Sequence, residues 1–172
     1  MKKVLFVDRD GTLIWEPPDG KIDSIEKLRP FPLVFESLKK LQQNEYSLVM
    51  ISNQPGLGSS GFPRESFEIP HRKLMDLFHE AGVRFDGVYF CQHEKEDDCD
   101  CRKPKTGLLD SFLKNNPTDL RKSYVIGDRE TDIRLAKNID CKSIFYSSQN
   151  NPEADFSSDN WEKITEWILR RQ

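Results

Sequence analysis

Two aspartates stand two positions apart in Asp8-Arg9-Asp10-Gly11-Thr12, directly after the apolar run Val4–Val7. A further acidic motif, Gly127-Asp128-Arg129-Glu130-Thr131-Asp132, follows another apolar run far along the chain. Moving a phosphoryl group requires an in-line nucleophile, neutralisation of phosphate charge and a proton donor for the leaving oxygen. Asp8 can supply the first and Asp10 the last, with Gly11 allowing a sharp turn. A magnesium ion held by carboxylates, Asp128 being the distant ligand, can supply the neutralisation. Asp132 is one helical turn on and can either join that site or cap the helix. Ser52 and the backbone around Asn53 can donate to phosphate oxygens. Lys103 or Lys105 can bring positive charge to the phosphate and to Asp8. Any one of these motifs alone is an ordinary turn or cap. Their joint occurrence, each at the end of an apolar run, favours catalysis.

A second constellation is soft where the first is hard. Cys91-Gln92-His93 and Cys99-Asp100-Cys101 offer three thiolates and one imidazole within a short segment. Cys91, His93, Cys99 and Cys101 would satisfy a tetrahedral zinc ion with no open position, a structural site. Such a site would pin the loop that delivers Arg102 and Lys103. Cys141 stands apart and reads as a small buried apolar residue. His71 and His79 read as helix-surface or packing residues.

The elements that must position these groups follow from the apolar pattern. Strands are expected at Val4–Val7, Leu48–Ile51, Val88–Phe90, Tyr124–Ile126 and Ser143–Tyr146. Helices are expected over Pro32–Asn44, around Leu74–Ala81, around Leu108–Leu113, around Ile133–Ala136 and around Trp161–Ile168. Near-continuous apolar strands separated by helices predict a three-layer, Rossmann-like α/β domain, a parallel sheet with helices on both faces. Ligands of such sheets bind at the carboxyl ends of strands, where Asp8, Ser52-Asn53 and Gly127-Asp128 fall. Trp15–Pro30, Gln54–Pro70 and Ser147–Asn160 read as irregular loops. One helix between the first two strands leaves no room for a large cap domain.

The 172 residues suit a single domain, 1–172. A formal net charge of −3 offers no basic face for nucleic acid. No apolar run approaches the roughly 20 residues that cross a bilayer. The apolar stretch after Lys2-Lys3 is too short for a secretion signal, so a cytoplasmic protein acting on a small phosphate monoester is expected.

In DRDGT (Asp8 to Thr12), SN (Ser52-Asn53), RKP (Arg102 to Pro104) and GDRETD (Gly127 to Asp132) the chain resembles the haloacid dehalogenase-like phosphatases. The resemblance implies Asp8 as nucleophile forming an aspartyl-phosphate, and Asp10 as general acid, then base. It implies magnesium between Asp8, the Asp10 carbonyl and Asp128, with Ser52 and Lys103 on the phosphoryl oxygens. Lys103, not Lys105, matches the family pattern. The zinc loop joined to Cys-Arg-Lys-Pro narrows the resemblance to two branches. One is histidinol-phosphate phosphatase, often the N-terminal half of a bifunctional histidine-biosynthesis enzyme whose other half is imidazoleglycerol-phosphate dehydratase. The other acts on heptose bisphosphate. The Glu-Pro-Pro of Glu16–Pro18 and the loop after Asn53 resemble the first. Glu16 could then pair with the substrate ammonium or be a solvated loop residue, and Asn53 and Gln54 could bond the substrate. Two other readings are weaker. A DNA 3'-phosphatase lacks support from a basic face, and an inactive zinc-stabilised binding module is opposed by the intact Asp8, Asp10 and Asp128.

Overall fold

The apolar run at the N-terminus forms β1 (Lys3–Val7), the centre of a six-stranded sheet. The structure, a computed structural model, describes residues 1–171. Gln172, the last residue of the expected domain, lies outside the described residues. In chain order the elements are β1, α1 (Val34–Gln43), β2 (Tyr46–Asn53), α2 (Arg64–Glu80), β3 (Gly87–Cys91), α3 (Gly107–Asn115), β4 (Tyr124–Gly127), α4 (Glu130–Asn138), β5 (Lys142–Phe145), β6 (Phe156–Ser157) and α5 (Trp161–Leu169). The sheet order is β3-β2-β1-β4-β5-β6 and every pairing is parallel. The expected fold class is the one observed.

Alternation along the strands explains the two faces. Leu5, Val7, Leu48, Met50, Tyr124 and Ile126 point to one side and pack with Leu38 and Leu41 of α1, Leu74 and Phe78 of α2, and Trp161 and Ile164 of α5. Val4, Phe6, Val49, Ile51 and Val125 point to the other and meet Leu109 and Phe112 of α3 and Leu135 and Ala136 of α4. A period of two thus delivers apolar groups to both layers of helices. Among the described residues no helix is long and apolar enough to cross a membrane.

Two expectations need correction. The segment Gln54–Pro70 is not all loop: α2 begins at Arg64 and carries Pro70 within it. Proline is a helix breaker on local grounds. Here Phe67, Pro70, Leu74 and Phe78 form a buried stripe, and that packing holds the helix through it. The segment Ser147–Asn160 contains the two-residue β6, fixed by Ser158 N donating to Phe145 O at 3.1 Å. Its residues lack the apolar run that marks the other strands.

Candidate active site

Parallel pairing of β1 with β2 and β4 brings the three motifs to one sheet edge. Asp8 N donates to Ile126 O at 2.9 Å, so the first motif grows out of the β1–β4 ladder. Gly11 has φ +80°, and a Cβ there would collide with the Asp128 carboxylate. Only glycine lets the Asp8–Thr12 turn approach Asp128 this closely. Thr12 Oγ1 donates to Asp128 Oδ1 at 3.3 Å, while Thr12 O accepts from Trp161 Nε1 at 3.1 Å. The last helix therefore anchors the first loop.

Lys103 is the electrostatic centre. Its buried ammonium donates to Asp8 Oδ1 at 2.7 Å, to Asp132 Oδ1 at 2.6 Å and to Ile51 O at 3.3 Å. Burial pulls its pKa down, but Asp132 and Asp8 override that and hold it above its ordinary value. Lys105 instead pairs with the exposed Asp98 at 2.6 Å. Of the two lysines, Lys103 is the one at the site. Asp132 caps the helix: besides holding Lys103, its Oδ2 accepts from Arg129 N at 3.2 Å at the start of α4.

Asp8, Asp128 and Asp132 place carboxylate oxygens within 4.8 Å of one another. Burial, then the charges of Asp8 and Asp132, push Asp128 up to about 7. Such crowded carboxylates fit a hard divalent cation, which would relieve their repulsion. Asp132 spends both oxygens, on Lys103 and on Arg129 N, whereas Asp8 spends only Oδ1 on Lys103, so Asp8 and Asp128 are the carboxylates better placed for such a cation. The Asp10 side chain points elsewhere. Its Oδ1 accepts from Arg9 Nη1 at 2.6 Å and its Oδ2 from Gln54 Nε2 at 2.5 Å. Burial raises its pKa, opposed by Arg9 and Gln54.

Three site residues expected at the substrate have other partners. Gln54 spans Asp10 and Ser52 Oγ, the latter at 3.0 Å, and so orients the Asp10 carboxylate. The Asn53 side chain accepts from Lys103 N at 3.0 Å and donates to Lys103 O at 3.2 Å. It positions Lys103, and only its main chain is left for phosphate. Glu16 is paired with Arg129 at 2.6 Å. Ser52, buried at the end of β2, keeps its hydroxyl proton available for a phosphoryl oxygen.

Four residues were not singled out as site residues in the sequence. Arg9 is completely buried, its Nε and Nη2 without partners among the described residues and its guanidinium over the Phe67 ring. A cation between two aspartates was the available signal. Thr12 stood within a recognised motif and Arg129 within another. Nothing local marks Trp161.

The soft cluster assembles as expected. Cys91 Sγ lies 3.6 Å from Cys99 Sγ and 3.2 Å from Cys101 Sγ, and Cys99 and Cys101 are 3.5 Å apart. His93 Nδ1 is 3.2 Å from Cys101 Sγ and 3.7 Å from Cys91 Sγ. Zinc–sulfur bonds of about 2.3 Å give tetrahedral edges of roughly 3.8 Å, so the four atoms frame a metal-sized space. Cys99 is lowered to about 7, with Cys101 and the Arg102 backbone among the causes that overcome burial. The cluster is stitched to the catalytic edge: Gln54 N donates to Cys91 O at 2.7 Å, Gly56 N to Gln92 O at 3.1 Å and Arg102 Nη1 to His93 O at 3.0 Å.

A parallel sheet with Asp8, Asp128, Asp132 and Lys103 gathered at its carboxyl edge is similar to the architecture of the haloacid dehalogenase-like hydrolases. A family model described as HAD-hydrolase-like matches residues 100–166. The chain is 48% identical over 171 residues to the histidine biosynthesis bifunctional protein HisB of Buchnera aphidicola, covering 99% of this chain and 46% of that protein. It is 40% identical over 171 residues to the protein of the same name from Campylobacter jejuni subsp. doylei, covering 95% and 49%. The chain thus spans about half the length of these relatives. Among solved structures, D,D-heptose 1,7-bisphosphate phosphatase from B. bronchiseptica, complexed with magnesium and phosphate, superimposes with a TM-score of 0.86 at 22% identity, covering 99% of each chain. The enzyme of the same name from Burkholderia thailandensis gives 0.67 at 17% identity, covering 98% and 99%. At those identities the likeness is one of fold.

Proposed function

We propose that the chain hydrolyses L-histidinol phosphate to L-histidinol and phosphate. The observation that carries the chemistry is Lys103, buried between Asp8 and Asp132 beside Asp128. The substrate follows from the near-complete match to proteins named for histidine biosynthesis. Those relatives are bifunctional and about twice as long, which supports a dehydratase unit fused beyond this region, in a cytoplasmic enzyme.

Magnesium, held by Asp8, the Asp10 carbonyl and Asp128, would supply charge neutralisation for the phosphoryl oxygens. Lys103 and Ser52 bind those oxygens. Asp8 attacks phosphorus in line, the bond from phosphorus to the ester oxygen breaks, and protonated Asp10 gives its proton to the departing alkoxide. Asp10, now a carboxylate, takes a proton from water. The water oxygen attacks the phosphorus of the aspartyl-phosphate, and the Asp8 oxygen leaves, restoring the enzyme with inorganic phosphate. Arg9 and Gln54 hold Asp10 on both oxygens and so fix where that proton is delivered. Zinc on Cys91, His93, Cys99 and Cys101 would fix the loop carrying Lys103.

A rival reading, hydrolysis of a heptose bisphosphate, has one observation in its favour. Lys95, Arg102, Lys105 and Arg134 line a cavity of about 510 Å³ beside Lys103, able to receive a second phosphate. The deciding test is phosphate release with magnesium from L-histidinol phosphate and from the heptose compound, for the wild type and Asp8→Asn. Release from histidinol phosphate, lost in the variant, supports the proposal. Release only from the heptose compound overturns the substrate, and release from neither returns the inactive module to consideration.

A further inference from the structure

Glu16 and Arg129 come from different loops at the catalytic edge, one after β1 and one after β4, and meet there. Arg129 Nη2 donates to both Glu16 oxygens, at 2.6 and 2.7 Å. Arg129 Nε lies 4.0 Å from Asp128 Oδ2, and its guanidinium also lies within the field of Asp8. Glu16 adds negative charge to the surroundings of Asp10. The pair therefore joins the two loops that carry the nucleophile, the proton donor and the distant metal ligand. Its side chains are 26% exposed at Glu16 and 54% exposed at Arg129. An ion pair this wet contributes little to stability, so opening it is cheap.

A phosphate monoester that also bears an ammonium carries both signs of charge on one short molecule. We propose that such a substrate opens the Glu16–Arg129 pair by exchange: its ammonium takes Glu16, and the released guanidinium turns to the phosphate. The pair then acts as a selectivity device for amino-bearing phosphate monoesters. The inference rests on the histidinol phosphate reading and gives it a physical basis. An ester without an ammonium gains Arg129 only by leaving the Glu16 carboxylate unpaired near Asp10. Discrimination comes from that unpaired charge as much as from the new contact. With both partners in place, two ion pairs replace one. No bond is made or broken in the exchange, so it acts on binding and not on the phosphoryl step.

The test compares L-histidinol phosphate with its des-amino analogue, 3-(imidazol-4-yl)propyl phosphate, in the wild type, Glu16→Gln and Arg129→Met. The wild type is expected to favour the amino ester. In Glu16→Gln, KM for the amino ester should rise by roughly tenfold to a hundredfold, the range of a charge-assisted contact. KM for the des-amino ester should stay level or fall, because Arg129 is no longer held. Arg129→Met should raise KM for both esters alike, with kcat for each within a few-fold of wild type. If Glu16→Gln raises KM equally for both esters, Glu16 only braces Arg129 and the exchange is overturned. No change for either ester overturns it too. Failure of the underlying reading looks different: the wild type itself would release no phosphate from histidinol phosphate, and both proposals would fall together.

Discussion

The guanidinium of Arg9 lies 4.8 Å from the centre of the Phe67 ring, so a side chain of the catalytic loop rests on a side chain of α2. Arg9 Nη1 meanwhile holds Asp10. Phe67, itself buried, is thus the far support of Asp10.

Arg9 lowers the Asp10 pKa against the upward push of burial. Replacing it should let burial win more fully and raise that pKa. In Arg9→Met the pH profile of kcat should therefore move to higher pH on both limbs, given the proposed role of Asp10 as acid and then as base. A profile in the wild-type position would show that Arg9 does not tune Asp10. In Asp10→Asn, kcat should fall by roughly 10²–10⁴-fold, the usual contribution of a positioned proton donor.

Lys103→Met should leave Asp8 and Asp132 buried without their shared cation. Removing one partner of a buried charge cluster typically costs about 3–5 kcal/mol. Denaturant unfolding should register a loss of that size. Adding Asp132→Asn should recover part of it, because one of the stranded charges is then gone. Additive losses in the double variant would contradict the coupling.

If zinc occupies the Cys91–His93–Cys99–Cys101 cluster as proposed, stripping it with a chelator, followed by magnesium repletion, should lower the melting temperature and the activity together. The thiolate cluster and the loop after β2 share the bonds from Gln54 N and Gly56 N, so slackening at Cys91 reaches Ser52 and Lys103. Full activity from protein verified to be zinc-free would refute that link.

His71 stacks on Phe67 at 5.4 Å and meets Phe90 edge-on at 5.0 Å. Burial, then the charge of Arg9, pushes its pKa down to about 4. The unfolded chain binds a proton near 6.5 and the folded chain does not. This residue's stabilising contribution is therefore whole above about 6.5 and is lost as pH falls toward 4. The limiting slope is about 1.4 kcal/mol per pH unit. His71→Phe should flatten the stability curve in that window. An identical curve would place the pH sensitivity elsewhere.

How much was legible follows from the range of each signal. The inner strands β1, β2 and β4 were visible because a buried parallel strand writes a near-continuous apolar run, as in Val4–Val7 and Leu48–Ile51. Asp8, Asp10, Asp128 and the thiolate cluster were visible because their chemistry is carried by residue type at short spacing. The helix through Pro70 was hidden, since the tertiary stripe from Phe67 to Phe78 outweighs a local breaker. The partners of Glu16, Asn53 and Gln54 were hidden for another reason. Each binds a residue at the site by a route that sequence separation does not announce: Glu16 to Arg129, Asn53 to Lys103, Gln54 to Asp10.

The order of the strands has a consequence for the chain as it is made. β1 emerges from the ribosome ahead of the other five strands of its sheet and is one of the innermost. It can pair with β2 early, but its other edge waits for Tyr124–Gly127. Until Tyr124–Gly127 has been made, then, Leu5, Phe6 and Val7 present an open apolar edge, the kind that pairs with neighbouring chains. Asp8 leaves the tunnel well ahead of Asp128 and Trp161, and its site cannot close until both have followed.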